Sequence, residues 1–419
     1  MLVTAATEAG ENAANESGTR ERTASVISAG ENAAVEMLER AAGWVPALRE
    51  RSVEIDRSRQ LPQDLAEALA AGGFYRTLVP PALGGMGLSP AVVANISEVL
   101  AMGNASAAWC TFIGSTSQIM FAALAPAQLA EVLENPEVIT AGVFAHSGTA
   151  TPAPGPDGAD GYIVKGRWAW ASGSHNAEWI SGGVQIGSGT PTDAGQPALG
   201  RAFFRPEDIV LHDDWYTSGL RGSGSGTFEA SDVWLPANRI AYERAILKSP
   251  YAAQPLYRMP LFGLLALPIG AIALGMARAC IDEVIDVATS KVPQGSRRTL
   301  GQRPALHSAV AVADTEVRAA RTLLYAEIDA AWERAQHGLA DLQIRRNLRT
   351  ATTHAMQTSL RVAQSMNAAV GGTAVFEASP LQRHLRDAQT ASAHFMVAMP
   401  VMELAGRTFF DHDADASGL

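Results

Sequence analysis

The spacing of apolar residues changes twice along this chain, and that change limits the folds it can adopt. Apolar residues recur every three or four positions from residue 33 to about residue 130, which is the spacing of amphipathic helices. Short runs of β-branched and aromatic residues replace this pattern between residues 138 and 235 and are typical of strands. Helical spacing returns at about residue 255, with long runs at 262–290, 304–337, 341–370 and 381–410. The sequence therefore predicts a mainly α protein with a small central antiparallel β domain.

Four segments follow from this pattern. Residues 1–32 are rich in Ala, Glu, Asn, Ser and Thr and contain AGENAA twice, so we expect a flexible tail of low complexity. An N-terminal helical domain is predicted over 33–137, a middle β domain over 138–248, and a C-terminal helical bundle over 249–419.

Charge and cysteine content exclude several classes of function. The chain carries 32 Lys and Arg against 42 Asp and Glu, with no basic run longer than two, so nucleic acid is not an expected partner. Cys110 and Cys280 provide neither a disulfide framework nor a zinc site and are typical of a reducing cytoplasm, the expected location. The nine histidines lack metal-ligand spacing, so no metal site is predicted. No nicotinamide fingerprint, P-loop or Gly-x-Ser-x-Gly elbow occurs.

Two long uncharged segments raise the question of a membrane. Met259 to Ala277 contains two prolines and three glycines, and Val99 to Ala130 is interrupted by polar residues. Buried helices of a large helical core explain both segments better than membrane spans. We also expect part of their surface to contact other subunits, which predicts an oligomer.

Four short motifs in a fixed order identify a family. They are Pro80–Gly87 (PPALGGMG), Gly166–Gly173 (GRWAWASG), Gly219–Gly226 leading to Pro236, and Gly371-Gly372 followed by Ser379–Ala388. Together they resemble the acyl-CoA dehydrogenase superfamily over nearly the whole chain from about residue 35. The resemblance implies an N-terminal helical domain, an antiparallel β-barrel or sandwich domain and a C-terminal four-helix bundle, with flavin bound between the last two. It also implies a homotetramer.

One branch of that superfamily matches better than the others. True dehydrogenases place a catalytic glutamate shortly after the Arg-Asp-Ala step, whereas Gln389 to Met396 contains no carboxylate. The Trp-x-x-x-Ser-Gly strand, His394 and the ending Glu403–Arg407 resemble the group D two-component flavin-dependent monooxygenases. That resemblance implies reduced flavin, usually FMN with FAD as a possibility, supplied by a separate NAD(P)H-flavin reductase. Reduced flavin and O₂ would form a C4a-hydroperoxide that oxygenates a small organic, aromatic or natural-product substrate.

Two other functions stay open on the sequence alone. The first is an acyl-CoA dehydrogenase or oxidase, because some dehydrogenases carry their base on another helix. The second is a catalytically idle homologue that binds a ligand. Tight binding of FAD with acyl-CoA-dependent dye reduction would favour the first, and failure to bind flavin would favour the second.

The resemblance also assigns site residues. Ser172, Ser147 and Trp170 are expected beside the flavin, because a hydroxyl can donate or accept as the flavin changes protonation. His394 is an expected catalytic residue together with Ser172, because an imidazole that titrates near neutral pH can deprotonate a phenol or hydrogen-bond the distal peroxide oxygen. His146, next to Ser147, is a weaker candidate, and Arg386 with Asp387 is expected to anchor a helix.

The flavin phosphate is expected to lie further from these groups. Arg297 and Arg298 are predicted to bind the flavin phosphate of a neighbouring subunit through their paired donors, and Gly371 and Gly372 to lie against the cofactor. One departure from the family pattern is clear. Several members carry a second active-site histidine on the helix after the Gly-Gly loop, but this chain has Ser115 to Met120 there and no histidine before residue 146.

Overall fold

A computed structural model describes residues 32–187, 198–410 and 416–419 of the chain. Of the predicted tail, residues 1–31 lie outside the described residues, and residue 32 already belongs to a helix. Within these ranges, six α-helices precede the strands: α1 (32–50), α2 (Ser52–Ser58), α3 (Gln63–Ala71), α4 (Pro90–Gly103), α5 (Ala105–Phe121) and α6 (Pro126–Val132). Five follow them: α7 (Leu261–Ser290), α8 (Pro304–His337), α9 (Leu342–Val370), α10 (Pro380–Ser392) and α11 (Pro400–Arg407). The acyl-CoA dehydrogenase-like order of helices, sheet and helices is confirmed.

The strands between these two groups of helices form one hydrogen-bonded sheet. They are β1 (Thr140–Pro152), β2 (Gly161–Trp168), β3 (Trp179–Ile186), β4 (Ala198–Phe204), β5 (Val210–Leu211), β6 (Phe228–Pro236) and β7 (Ile240–Tyr242). Their spatial order is β5-β6-β2-β1-β3-β4-β7. The antiparallel prediction fails for one pair, because β1 and β3 run parallel. Strand direction alternates from β1 to β4, but β3 pairs with β1 and not with β2. The chain therefore crosses from one side of β1 to the other through residues 169–178, here named the crossing segment.

A buried tryptophan fixes the sheet where the crossing segment begins. Trp168 stacks on Phe228 with ring centroids 4.7 Å apart, and its Nε1 donates to the Gly183 carbonyl at 2.9 Å. A Cβ built at Gly148, Gly166 or Gly182 would lie 2.2–2.6 Å from the Trp168 ring, so glycine is required where the indole crosses the strands. The crossing segment thus leaves the sheet from a rigid point.

The uncharged segments are covered within one chain. Helix α7 packs against α4, α8, α9 and α10, and nearly every residue of α5 is buried. Among the described residues, one helix, α7, is long and apolar enough to cross a membrane. Of its most apolar stretch, 89% is buried inside the fold. The apolar surface of both segments already lies against the chain's own helices. Their lack of charge therefore gives no reason to expect subunit contacts at these two segments.

The last helical run is broken where one helix was predicted over 381–410. Residues 393–399 form a turn between α10 and α11. Pro400 begins α11, and a proline lacks the N–H that a continuous helix would donate to the carbonyl four residues earlier, at Met396. That carbonyl instead accepts Nη1 of the buried Arg349 of α9 at 2.5 Å. Proline and arginine together explain the break, and His394 lies inside it.

Candidate active site

A cavity of about 380 Å³ lies where α5, α7, the sheet and the 393–399 turn meet. Its walls are mainly apolar and aromatic, as in small-molecule sites generally. Helix α5 provides one wall with side chains that recur at helical spacing over about 16 Å, given 1.5 Å per residue: Trp109, Phe112, Ile113, Thr116, Ser117 and Met120. The remaining walls consist of these residues: Gly142, Phe144, Trp170, Ser172, Ser181, Arg201, Trp215, Thr217, Leu220, Ser225, Leu265, Ile269, Thr390, Ala393, His394, Phe395 and Met396.

Three serine hydroxyls form a hydrogen-bonded row at one end of the cavity. Ser223 Oγ donates to the Leu220 carbonyl at 2.7 Å, so its hydroxyl proton is already used in that hydrogen bond. Ser225 must then donate to Ser223 at 2.6 Å, and Ser172 to Ser225 at 2.6 Å, because each hydroxyl has one proton. Ser172 Oγ also accepts Trp109 Nε1 at 3.1 Å. The hydroxyl of Ser172 therefore has only an acceptor lone pair left for a ligand.

Trp170 lies on the crossing segment beside this row. Its φ is 63°, in the left-handed region that bulky residues rarely adopt, and its side chain is 69% exposed although it lines the cavity. Backbone bonds hold the conformation, since the neighbouring Ala171 N–H donates to the Gly226 carbonyl at 2.9 Å. An exposed indole fixed at the edge of a cavity is suited to packing against a flat ligand.

His394 approaches the same end of the cavity from the 393–399 turn. Its ring packs edge-to-face on Trp109, with centroids 5.7 Å apart, and its Nδ1 accepts the Met396 N–H at 3.3 Å. In the neutral ring the proton therefore lies on Nε2. Burial, reinforced by the Arg349 charge, lowers the pKa of His394 to about 4. The ring is neutral at physiological pH and offers a hydrogen-bond donor, which favours the hydrogen-bonding role over that of a general base.

A polar cluster lies at the other end of the α5 wall. Arg201 of β4, Ser181 of β3 and Ser117 of α5 line the cavity there. Arg201 is 3% exposed, and of the described residues lining the cavity it is the only Arg or Lys. Its Nη1 donates to the Val143 carbonyl at 3.0 Å, while its Nε and Nη2 have no partner.

The loop that carries Ser223 and Ser225 is anchored to α10. Asp387 Oδ1 accepts the Leu220 N–H at 2.6 Å, and burial raises the pKa of this carboxyl to about 6. Arg386 donates to the Ser218 carbonyl and pairs with Asp56 at 3.2 Å. Both residues hold the loop against α10, as expected of an anchoring pair.

The predicted site residues separate into two groups. Ser172, Trp170 and His394 meet at the cavity. Ser147, Arg297, Arg298, Gly371 and Gly372 are exposed and do not line it. Ser147 lies in an irregular stretch of β1, because the register with β3 shifts between Val143 and Gly148. His146 in that stretch pairs with Glu243 at 2.7 Å.

Three functional candidates were missed from the sequence. Trp109 and Ser225 make the two hydrogen bonds that orient the Ser172 hydroxyl, but neither stands out in an apolar helix or a Gly-Ser run. Arg201 was easier to recognise as a candidate, because it is a charged residue directly before the apolar Ala-Phe-Phe of a predicted strand. Such a residue is either paired or functional when its strand is buried.

Comparisons with known proteins agree with this geometry. Models of the acyl-CoA dehydrogenase N-terminal and C-terminal domains match residues 36–131 and 267–399. An indole-3-acetate monooxygenase of Pseudomonas putida is 31% identical, covering 86% of this chain and 90% of that protein. The flavin-dependent monooxygenase oxygenase subunit HsaA of Rhodococcus jostii is 29% identical over 85% of this chain and 93% of its own. An FADH2-dependent resorcinol hydroxylase oxygenase component of a Rhizobium strain is 26% identical, covering 86% of this chain and 90% of that protein.

Solved structures show the same fold. The 3-HSA hydroxylase of Rhodococcus sp. RHA1 aligns with a TM-score of 0.80 at 25% identity, covering 90% of this chain and 96% of that one. XiaF from a Streptomyces species, in complex with FADH2 and glycerol, aligns with a TM-score of 0.84 at 23% identity, covering 93% and 99%.

Proposed function

The chain belongs to the flavin-dependent monooxygenases of the acyl-CoA dehydrogenase superfamily, and we propose that it hydroxylates a planar aromatic substrate bound along α5. It is the oxygenase component of a two-component system: a separate reductase supplies reduced flavin, and O₂ is the co-substrate. Indole-3-acetate and resorcinol, the substrates named for two relatives, both contain a planar aromatic ring. The flat apolar walls of the cavity support a substrate of that kind.

The orientation of the serine row is the observation that carries the proposal. Because Ser172 has only an acceptor left, it suits the N5 edge of reduced flavin, where N5 carries a hydrogen that oxidised flavin lacks at that atom. The apolar walls and the exposed Trp170 fit the faces of the isoalloxazine ring. When bound, the reduced flavin supplies the electrons that activate O₂.

The chain's own residues then orient the ligands and exclude water. Ser172 holds the edge of the ring, and Trp109 fixes the Ser172 hydroxyl. The Nε2–H of His394 donates a hydrogen bond to the oxygen being transferred or to the substrate. Phe112, Ile113 and Met120 keep the transfer site dry, which suppresses loss of oxygen as H₂O₂.

The composition of the cavity wall argues against the alternative function, that of an acyl-CoA dehydrogenase. Removal of the α-proton from an acyl thioester requires a base in the cavity, usually a carboxylate. None of the described residues lining the cavity is Asp or Glu, and His394 is a weak base at pKa about 4.

We further propose a homotetramer, located in the cytoplasm and independent of membranes. Helix α8 carries an exposed stripe of small and apolar residues at helical spacing, including Val312, Ala319 and Leu323, which is typical of a helix that packs against a partner. Arg297 and Arg298 are exposed outside their own chain's cavity. Phosphate binding by these arginines in a neighbouring subunit is compatible with that position.

The decisive experiment measures coupled oxygenation. The purified chain, a flavin reductase, NADH, FMN or FAD, and an aromatic panel should yield hydroxylated product with little H₂O₂. The chain without reductase should be inactive, because it has no nicotinamide fingerprint. Acyl-CoA with an electron-accepting dye forms the contrasting arm. Dye reduction there, or NADH oxidation by the chain alone, would contradict the proposal.

A further inference from the structure

The Arg201 guanidinium is a buried cation without an ion-pair partner among the described residues. One nitrogen bonds to the Val143 carbonyl, and its carbon lies 5.2 Å from the centroid of the Phe144 ring, which also lines the cavity. The other two nitrogens, Nε and Nη2, are buried and unpartnered. Buried cations in proteins are normally paired, because transfer from water to the interior disfavours an isolated charge. An arginine left in this state in a cavity wall indicates that its partner is a ligand.

The sheet brings a second unpartnered group to the same place. Arg201 is opposite Gly183 in the β3–β4 pair, and Ser181 is two residues away on β3, so their side chains share one face of the sheet. The Ser181 hydroxyl is buried and has no partner. Gly142 of β1 is paired with Ser181, and a Cβ built there would lie 2.4 Å from Ser181 Oγ and 3.4 Å from Ser117 Oγ. Glycine at 142 therefore leaves space beside the Ser181 and Ser117 hydroxyls, on the face of the sheet that also carries Arg201.

Arg201 forms no ion pair with a described carboxylate. The carboxylate of Glu243 favours the charged form of Arg201, but Glu243 bonds to His146 at 2.7 Å and forms no ion pair with the arginine. Burial lowers the pKa of Arg201 to about 10, so the guanidinium still carries its charge at physiological pH. The end of the cavity near Ser117 thus holds one positive charge that has no ion-pair partner among the described residues.

Building on the proposed function, we propose that Arg201, with Ser181 and Ser117, binds the carboxylate of an aromatic acid substrate. Two unpartnered guanidinium nitrogens match the two oxygens of a carboxylate, and a single positive charge matches its single negative charge better than that of a phosphate. Ser117 is eight residues beyond Trp109 on α5, about 12 Å along the helix. A carboxylate held there places an attached ring in the apolar middle of the cavity, between Arg201 and the Ser172–His394 end.

The test compares aromatic acids with their uncharged amides of nearly the same shape. The pairs are indole-3-acetate with indole-3-acetamide, phenylacetate with phenylacetamide, and benzoate with benzamide. Binding to the full-length chain is measured by equilibrium dialysis at pH 7.5, anaerobically, both without flavin and with reduced FMN. At least one acid should bind the wild type more tightly than its amide. Arg201→Met should weaken binding of that acid about tenfold to a hundredfold and leave the amide unchanged.

Two further variants keep the result interpretable. Ser181→Ala removes one unpartnered hydroxyl from the cluster and should weaken acid binding by a smaller factor. Arg205→Met is the matched control, because Arg205 follows the same strand but packs on Trp179, 4.2 Å from the ring centroid, outside the cavity. It should leave the ratio of acid to amide affinity unchanged. Thermal unfolding of each variant verifies that it is folded.

Several results would overturn the subsite. These are a wild type that prefers no acid over its amide, an equal loss of both ligands in Arg201→Met, or a loss of reduced-FMN binding in that variant, which would assign Arg201 to the flavin. Product analysis separates the two proposals. Selectivity for an acid without hydroxylation would refute the proposed reaction alone, whereas hydroxylation without the selectivity would refute the subsite alone.

Discussion

Trp109 contacts both residues that define the reactive end of the cavity. Its Nε1 donates to Ser172, and its ring edge meets His394. Ser172 thereby has a fixed hydrogen-bond polarity and His394 a fixed ring orientation before any ligand enters. Single substitutions at these two positions should therefore have different consequences.

Replacing Ser172 by Ala should weaken the binding of reduced flavin. The variant loses one acceptor, worth about 0.5–1.5 kcal/mol net, which corresponds to roughly twofold to tenfold weaker binding. The ring should also be less well positioned, so more H₂O₂ should form per NADH at every pH. Anaerobic titration with reduced FMN and a peroxide assay measure both effects. Ser174→Ala is the control, because Ser174 is buried on the same segment but does not line the cavity. Unchanged flavin affinity and coupling in Ser172→Ala would refute the assignment.

Replacing His394 by Asn should leave reduced-flavin binding intact and slow coupled hydroxylation about 10²-fold, the usual contribution of a positioned proton donor or acceptor. The pH profile of the wild type is also informative. Since the folded pKa of His394 is about 4, below the ordinary 6.5, the ring stays neutral as pH falls from 8 to 5.5. Hydroxylation should show no loss from this group over that interval and should decline only as pH approaches 4. A loss centred near pH 6.5 that disappears in His394→Asn would show that the ring is not buried as described.

The lowered pKa of His394 also makes the stability of the folded chain depend on pH. The unfolded chain binds a proton at His394 near pH 6.5, whereas the folded chain resists protonation down to about pH 4. His384 behaves likewise, since burial lowers its pKa to about 3. Both groups therefore favour the folded state fully above pH 6.5 and progressively less as pH falls below it.

At the scale of elements, the break between α10 and α11 positions His394. Pro400 cannot donate to the Met396 carbonyl, and Arg349 of α9 donates in its place. The arginine thus fixes the turn and also contributes to the low pKa of His394.

Arg349→Gln should raise the pKa of His394 from about 4 towards its ordinary value, because a nearby positive charge is removed. It should not reach that value, since burial is the larger cause. Histidine resonances followed by NMR against pH, with His394→Asn to assign the signal, measure the change. Arg346→Gln is the control, because Arg346 lies one turn earlier on α9 and bonds to Thr408. An unchanged or lower pKa in Arg349→Gln would exclude this role.

Particular elements show how far the sequence alone could predict this molecule. The order of helices and strands, the motif segments and three cavity residues (Ser172, Trp170 and His394) could be predicted, because apolar spacing and local motifs determine them. The position of Ser147 could not, because the irregularity in β1 exists only relative to β3, a strand about forty residues away. The break at 393–399 depends on Arg349 from another helix, although Pro400 was a local signal. The environment of Arg201 depends on three strands meeting, which no single segment encodes.

At the scale of the whole molecule, a single chain leaves two features exposed, the stripe on α8 and the pair Arg297 and Arg298. The proposed tetramer would cover them. Light scattering of the purified protein at micromolar concentration should give a mass of about four chains, or about 176 kDa from 44.0 kDa each. Leu323→Glu places a charge in the α8 stripe and should lower that mass, whereas Leu339→Glu, at an exposed site beyond the helix, should not. A stable wild-type monomer would contradict the proposed tetramer.

The contact between Trp109 and His394 joins positions separated by 394 − 109 = 285 residues. A ribosome releases the N-terminal helices and the sheet well before α10, so the growing chain can fold those parts first. The serine row still lacks its anchor at Asp387 at that stage, and the cavity lacks the wall that carries His394. An incomplete nascent chain therefore cannot assemble the pocket in which reduced flavin would meet oxygen. The cavity can therefore become complete only after almost the entire polypeptide has emerged from the ribosome.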